Sequence, residues 1–243
     1  MNARTTAPRR GAAAPKSKPK AKPKSKSRPS AFARPAKSSL PAKPAKPGGA
    51  GEIRIIGGLW KRTRLSVADR PGLRPTPDRV RETLFNWLGQ DLTGWRVIDA
   101  FAGTGALGLE AASRGAAMVL LVESDSALAA QLETVRHKLD AQAVRVQRGD
   151  GVAVLRAATP ASQHLVLIDP PFTGDLFDAA LQAAARALAP EGFVYLEAPV
   201  AWTDEALAPL GLALHRHLKA GAVHAHLLRP AAAAQSVEPP AAI

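Results

Sequence analysis

Val97-Ile98-Asp99-Ala100-Phe101-Ala102-Gly103-Thr104-Gly105-Ala106-Leu107-Gly108-Leu109-Glu110 decides the fold: a short apolar strand runs into a glycine-rich turn and then into a helix of small residues. The Gly-x-Gly-x-x-Gly spacing has physical content. Glycines at 103 and 105 let the backbone turn tightly and come close to a ligand, while Gly108 lets the helix pack hard on the strand. A lone match is weak, so its surroundings matter. Met118-Val119-Leu120-Leu121-Val122-Glu123 reads as a second apolar strand whose terminal acid suits the two hydroxyls of a ribose. A third strand, Val144-Arg145-Val146, leads to Gly149-Asp150-Gly151, where Asp150 either meets an adenine amine or caps the next helix.

Further along, the pattern predicts a helix over 176–188, a strand over 193–198, a helix over 203–207 stopped by Pro209, and a hairpin about Ala220-Gly221. Strands alternating with helices imply a mostly parallel sheet covered on both faces, with ligands at the strand carboxyl ends. Four histidines alternate on the hairpin. A turn centred between Ala220 and Gly221 would set His217 opposite His224 and His215 opposite His226. No carboxylate flanks them, so packing or hydration is expected there and no metal site.

Asp169-Pro170-Pro171-Phe172 follows the apolar run Leu165-Val166-Leu167-Ile168. An acid, two prolines and a ring at a strand end suit methylation of an exocyclic amine. Such an amine is a poor nucleophile because its lone pair is delocalised into the base. If the Asp169 carboxylate and the Pro170 carbonyl both accept from it, they favour a pyramidal nitrogen aimed at a methyl donor, which is catalysis by positioning and electrostatics. The prolines stiffen the turn and offer no competing N–H. Phe172 gives the base a face to stack on.

Ahead of the glycine loop, residues 52–90 read as a substrate-facing addition. A strand is expected over 53–56, and a basic strand or loop over 60–65. Thr76 is expected as a helix N-cap, with Pro77 and Asp78 in the first turn. The helix should bury Val80, Leu84, Trp87 and Leu88. Eight bases lie here: Arg54, Lys61, Arg62, Arg64, Arg70, Arg74, Arg79 and Arg81. Beside a base-methylating site they are expected to hold phosphates, Arg62, Arg64, Arg74 and Arg79 foremost.

Lys and Arg number 33 against 20 Asp and Glu, but residues 1–51 hold 14 of the bases and no acid. The remaining 19 bases nearly match the 20 acids, so the basic character belongs to the tail. Its Pro, Ala, Lys and Ser repeats offer too little apolar area to offset ordering, and disorder is expected there and over 231–243. The tail is either an electrostatic arm for RNA or a solvated extension. It lacks the apolar core of a signal peptide, its prolines disfavour a transit helix, and no apolar run spans a membrane. With no cysteine in the chain, disulfides, thiolate metal sites and cysteine-mediated cytosine methylation are excluded.

From Arg54 to about Arg229 the chain resembles the RsmD-type 16S ribosomal RNA guanine-N2 methyltransferases, of the Rossmann-like class I fold. The resemblance lies in Arg54-Ile55-Ile56-Gly57-Gly58, in Leu73-Arg74-Pro75-Thr76-Pro77-Asp78-Arg79-Val80-Arg81-Glu82, in Phe85-Asn86, in the glycine loop and in Asp169 to Phe172. It implies S-adenosyl-L-methionine as cofactor, with Asp99, Gly103 and Gly105 at its methionine end, Glu123 on its ribose, Asp150 near its adenine, and Phe101 also among the cofactor-binding residues. It places Asp169, Pro170 and Phe172 at the target guanine, guanine 966 of the RNA. It implies a seven-stranded, mostly parallel sheet with a closing antiparallel hairpin, and a monomer in the cytoplasm acting on 16S rRNA, the small subunit or an assembly intermediate. Two positions depart from the family pattern, Val135 where Asn is usual and Ala222 where Gln is usual.

Two other readings stay open. Methylation of adenine N6 or another exocyclic amine uses the same strand-end motif, although some forty residues before the glycine loop leave little room for a DNA target-recognition region. A nucleotide-binding protein without methylation is the other, a dehydrogenase or a silent RNA binder. Asp99 and Asp169 speak against the dehydrogenase.

Overall fold

Apolar runs of four to six residues, each followed by a small-residue helix, assemble one sheet with helices on both faces. The computed structural model describes residues 52–66, 76–171 and 176–235, all within the unit Ala45–Ile243. The expected tail over 1–51 lies outside the described residues.

The chain opens with an antiparallel ribbon of β1 (Glu52–Arg54) and β2 (Arg64–Ser66), then α1 (Asp78–Leu88). The alternating body runs β3 (Arg96–Asp99), α2 (Ala106–Ser113), β4 (Met118–Glu123), α3 (Ser126–Lys138), β5 (Val144–Arg148), α4 (Gly151–Ala157), β6 (Gln163–Ile168), α5 (Leu176–Ala187) and β7 (Leu188–Ala198). It closes with α6 (Asp204–Leu207), a 3-10 turn (Ala208–Leu210), β8 (Leu212–Ala220), β9 (Val223–Pro230) and α7 (Ala231–Gln235).

The seven-stranded sheet has the order β5-β4-β3-β6-β7-β9-β8. Strands β3 to β7 are parallel, β9 is antiparallel to β7, and β8 is antiparallel to β9. This is the class I methyltransferase fold expected from the sequence. Connections leave β3 and β6 in opposite directions, so a crevice opens beyond their carboxyl ends. Asp99 and Asp169 stand there.

Alternation along the strands divides the interior into two cores. On one face Val97, Val119, Leu121, Leu165 and Leu167 pack with Leu109, Leu132 and the α1 residues Val80, Leu84 and Phe85. On the other, Ile98, Val122, Val166, Ile168 and Leu196 pack with Leu155, Leu181 and Leu207. Each such side chain contributes about 1.5–3 kcal/mol when fully buried. Val80, Leu84 and Phe85 of α1 thus help to seat the N-terminal addition on the sheet.

Four sequence expectations are corrected. Thr76 does not cap α1; Pro77 occupies that position, without a side-chain cap bond, and the buried Thr76 hydroxyl bonds Glu197 instead. Strand β7 begins at Leu188, with an irregular stretch before Phe193 resumes the ladder. The hairpin turn falls one residue later than expected, with Ala220 opposite Val223, and a bulge follows Leu214. His217 consequently pairs with His226, and Lys219 with His224. Ala231–Gln235, expected as the start of a tail, form α7. Four alanines favour helix, and the Ala231 amide donates to the Gly211 carbonyl at 2.9 Å.

Candidate functional site

The glycine loop is built by its own sequence. Gly103 and Gly105 adopt positive φ, 51° and 78°, which residues with a side chain rarely take. Gly108 allows the closest approach of α2 to the sheet: a Cβ there would stand 2.2 Å from a Leu121 methyl and 3.0 Å from Asp99 Oδ2. Asp99, 1% exposed, accepts from the Gly108 amide at 3.0 Å through Oδ2. Its Oδ1 is buried and has no hydrogen-bond partner. Burial lifts the Asp99 carboxyl to about 7, against the pull of the Gly108 and Phe101 amides and with a small push from Glu123.

Glu123 ties the tip of β4 to this loop. Its Oε2 accepts from the Gly103 amide and its Oε1 from the Asp125 amide, both at 2.8 Å. Asp150 caps α4, Oδ1 accepting from Val152 and Ala153 amides at 2.7 and 3.1 Å. Phe101 is half-buried against the second core. A groove of about 520 Å³ runs beside α4 from Arg96 and Met118 to Gly149 and Asp150, and its lining includes none of Asp99, Glu123 and Asp169.

Asp169 leaves the end of β6, half-buried, with Pro170 buried behind it. Burial raises its carboxyl well above the usual carboxylate range, and Glu197 and then Asp99 add to the shift. Glu197, 4% exposed, was not anticipated from the sequence. Its Oε1 accepts from the Tyr195 hydroxyl at 2.8 Å. Phe172 lies outside the described residues.

The basic addition divides in two. Arg62 and Arg79 are exposed, as is Arg64, which pairs with Glu52 at 2.9 Å. Arg74 and Arg70 lie outside the described residues. Arg81, expected among the RNA-facing bases, is instead wholly buried, because it sits on the apolar face of α1 beside Leu84 and Phe85. It donates to Asp78 at 2.6 Å and lies 3.5 Å from Glu110. Glu110, also wholly buried, accepts from the Ile56 and Gly57 amides at 2.7 Å each and from Arg114 at 2.7 and 3.0 Å. Ser113 continues the seam, donating to the Gly57 carbonyl at 2.6 Å and accepting from the Trp60 amide at 2.9 Å. The glycines of Arg54-Ile55-Ile56-Gly57-Gly58 thus dock on the carboxyl half of α2.

Three histidines meet on the hairpin. His217 Nε2 lies 2.9 Å from His224 Nδ1, and the His217 and His226 rings stack with centroids 4.8 Å apart. Trp202 donates its amide to His226 Nε2 at 3.0 Å, and the other nitrogen lies 3.3 Å from the Leu196 carbonyl. Both His226 nitrogens are thereby engaged, and burial pushes its imidazole down to about 4.

A family model described as "Conserved hypothetical protein 95" matches residues 53–229. The chain belongs to this family. It is 41% identical over 191 residues to "Ribosomal RNA small subunit methyltransferase D" of Escherichia coli K12, covering 77% of this chain and 95% of that protein. A protein of the same name from Haemophilus influenzae is 37% identical over 156 residues, 62% of this chain and 81% of the relative. Among solved structures, "Putative methyltransferase yhhF" from Escherichia coli superposes with a TM-score of 0.65 at 42% identity, over 74% of this chain and 98% of that one.

Family members of this fold imply a methyl donor, and the residues fit S-adenosyl-L-methionine. The buried, unpartnered Asp99 Oδ1 is an acceptor in need of a donor such as an ammonium. Because the free carboxyl titrates near 7 and a cationic partner favours its charged form, cofactor affinity is expected to weaken as pH falls below about 7, by up to about tenfold per unit. Calorimetry with S-adenosylhomocysteine between pH 8 and 5.5 checks this. A flat profile in wild type would remove Asp99 from the ammonium.

Proposed function

We propose that this protein methylates the exocyclic N2 amine of a guanine in small-subunit ribosomal RNA, guanine 966 by family resemblance, with S-adenosyl-L-methionine as donor. The observation that carries the reading is the meeting of Asp99, with its orphaned Oδ1, and Asp169 at the crevice between β3 and β6, where donor and amine must approach. Kinship supports the rest, since the two curated relatives above are named as small-subunit ribosomal RNA methyltransferases at 41% and 37% identity.

Bound cofactor would supply an electrophilic methyl group. Asp99 would hold its ammonium and Glu123 its ribose, with Asp150 near the adenine and Phe101 lining the pocket. Glu123 retains acceptor capacity beyond its two amide bonds, and Asp150 directs both capping bonds to Oδ1. Asp169 and the Pro170 carbonyl would accept from the amine, with Phe172 stacking on the base. Arg62, Arg64, Arg74 and Arg79 would hold phosphates. The substrate would be the small subunit or an assembly intermediate, met in the cytoplasm by a monomer. No helix among the described residues is long and apolar enough to cross a membrane.

Mapping modified nucleotides in small-subunit rRNA from a deletion strain tests the assignment. One N2-methylguanine should vanish and return on complementation. Loss of an N6-methyladenine instead would favour the adenine reading, and an unchanged map would reject both.

The basic segment 1–51 is proposed as an electrostatic arm. Full-length protein should then lose RNA affinity with salt more steeply than a chain starting at residue 52, by about 0.7 per phosphate contact on a log-log plot. Equal slopes would make it a solvated extension.

A further inference from the structure

Ile168 pairs with Leu196 in the parallel ladder of β6 and β7, so Asp169 and Glu197, the next residue on each strand, leave the sheet side by side on the same face. Glu197 is buried, yet none of the described ion pairs involves it. Two hydroxyls hold it instead, Tyr195 from its own strand at 2.8 Å and Thr76 from the residue pair that opens α1. A glutamine could keep the Tyr195 bond at its carbonyl oxygen and donate from its amide to the Thr76 hydroxyl, without the cost of burying a charge. The negative charge itself therefore calls for a role.

We propose that Glu197 is a positioning residue for methyl transfer: held by Tyr195 and Thr76 beside Asp169, its carboxylate strengthens Asp169 as the acceptor for the amine and joins that acceptor to the head of α1. This rests on the assignment of Asp169 above. In the reaction the amine nitrogen gives its lone pair to the methyl carbon, the methyl–sulfur bond breaks with its electrons staying on sulfur, and the nitrogen sheds one proton. An acceptor made more basic by a like charge next to it stabilises that developing cation and takes the proton more readily. The charged neighbours agree. Burial, Glu197 and Asp99, in that order, raise Asp169. Burial also raises Glu197, while Thr76 and Tyr195 draw it back toward the charged form. From β9, Ala225 faces Glu197, whereas His224 and His226 pair with Ala198 and Leu196 and so turn to the opposite face. Arg81 of α1 is engaged with Asp78 and Glu110.

The test compares kcat against pH at saturating substrate for wild type, Glu197→Gln and Glu197→Asp. Wild-type kcat should rise with pH as Asp169 ionises. Removing the neighbouring charge lowers the proton affinity of Asp169, so the rising limb of Glu197→Gln should move to lower pH, with a plateau reduced by on the order of tenfold. Cofactor affinity should stay within a few-fold, and Glu197→Asp should return the limb toward its wild-type position. A limb that stays in place, whatever the loss of turnover or melting temperature, overturns the proposal. Should Glu197→Gln not fold, carboxyl carbon NMR titration of the wild-type chain against Asp169→Asn reads the same coupling. The Glu197 midpoint should fall when Asp169 loses its charge, and an unchanged midpoint rejects the proposal. Near-normal turnover of Asp169→Asn would instead bring down the underlying assignment, whereas an inactive Asp169→Asn with an unmoved Glu197→Gln limb would bring down this inference alone.

Discussion

Asp169→Ala is expected to cut methyl transfer by on the order of 100-fold or more while cofactor affinity stays within a few-fold. Asp99 and Glu123, proposed to hold the donor, are anchored by bonds to Gly108, Gly103 and Asp125 that Asp169 does not share. Truncating Asp169 removes an acceptor needed only as the amine turns pyramidal, so the loss falls on kcat. Single-turnover assays with a titration of S-adenosylhomocysteine separate the two effects. Near-normal turnover would end the acceptor assignment, and a parallel collapse of cofactor affinity would move Asp169 to the donor site.

Glu110→Ala should destabilise the fold by about 3–5 kcal/mol, the range for breaking a buried ion pair from one side. The wild-type carboxylate accepts from two amides and one guanidinium and lies beside a second, Arg81. Without it, Arg81 keeps only its bond to Asp78 while its Nε and Nη1, already without hydrogen bonds, stay buried. Arg114 retains Gln90 and its place 4.6 Å over the Phe85 ring. For a body of this size the melting temperature should fall by on the order of 10 °C. Amides of Ile56 and Gly57 should exchange with solvent before the sheet does. A shift under about 1 kcal/mol would show that water replaces the carboxylate at little cost.

Most of the sheet was legible because apolar strands ending in an acid repeat at Asp99, Glu123 and Asp169, and alternation assigns each strand two faces. Glu197 obeys the same rule at the end of Phe193-Val194-Tyr195-Leu196, yet Ala198 after it made it look like the interior of a strand. Arg81 was misread because a guanidinium in a basic stretch suggests solvent. Its spacing from Leu84 and Phe85, three and four residues on, was the signal that it faces inward. Glu110 could have been suspected on similar grounds, since a helix apolar on every side is buried and an acid within it needs partners. Hairpin register depended on a bulge after Leu214 that no residue pattern announces.

One short helix carries both ends of the proposed machinery. Gly105, at the amino end of α2, belongs to the loop assigned to the donor, while Glu110 and Ser113 in its carboxyl half hold Ile56, Gly57 and Trp60 of the basic addition. Eight helical residues span about 12 Å, and one inserted residue would turn everything beyond it by about 100°. Glu110 would then swing away from Ile56 and Gly57 although no side chain had been lost. The stretch from Gly105 to Ser113 should therefore reject any change of length, as a spacer whose phase keeps donor and RNA in step.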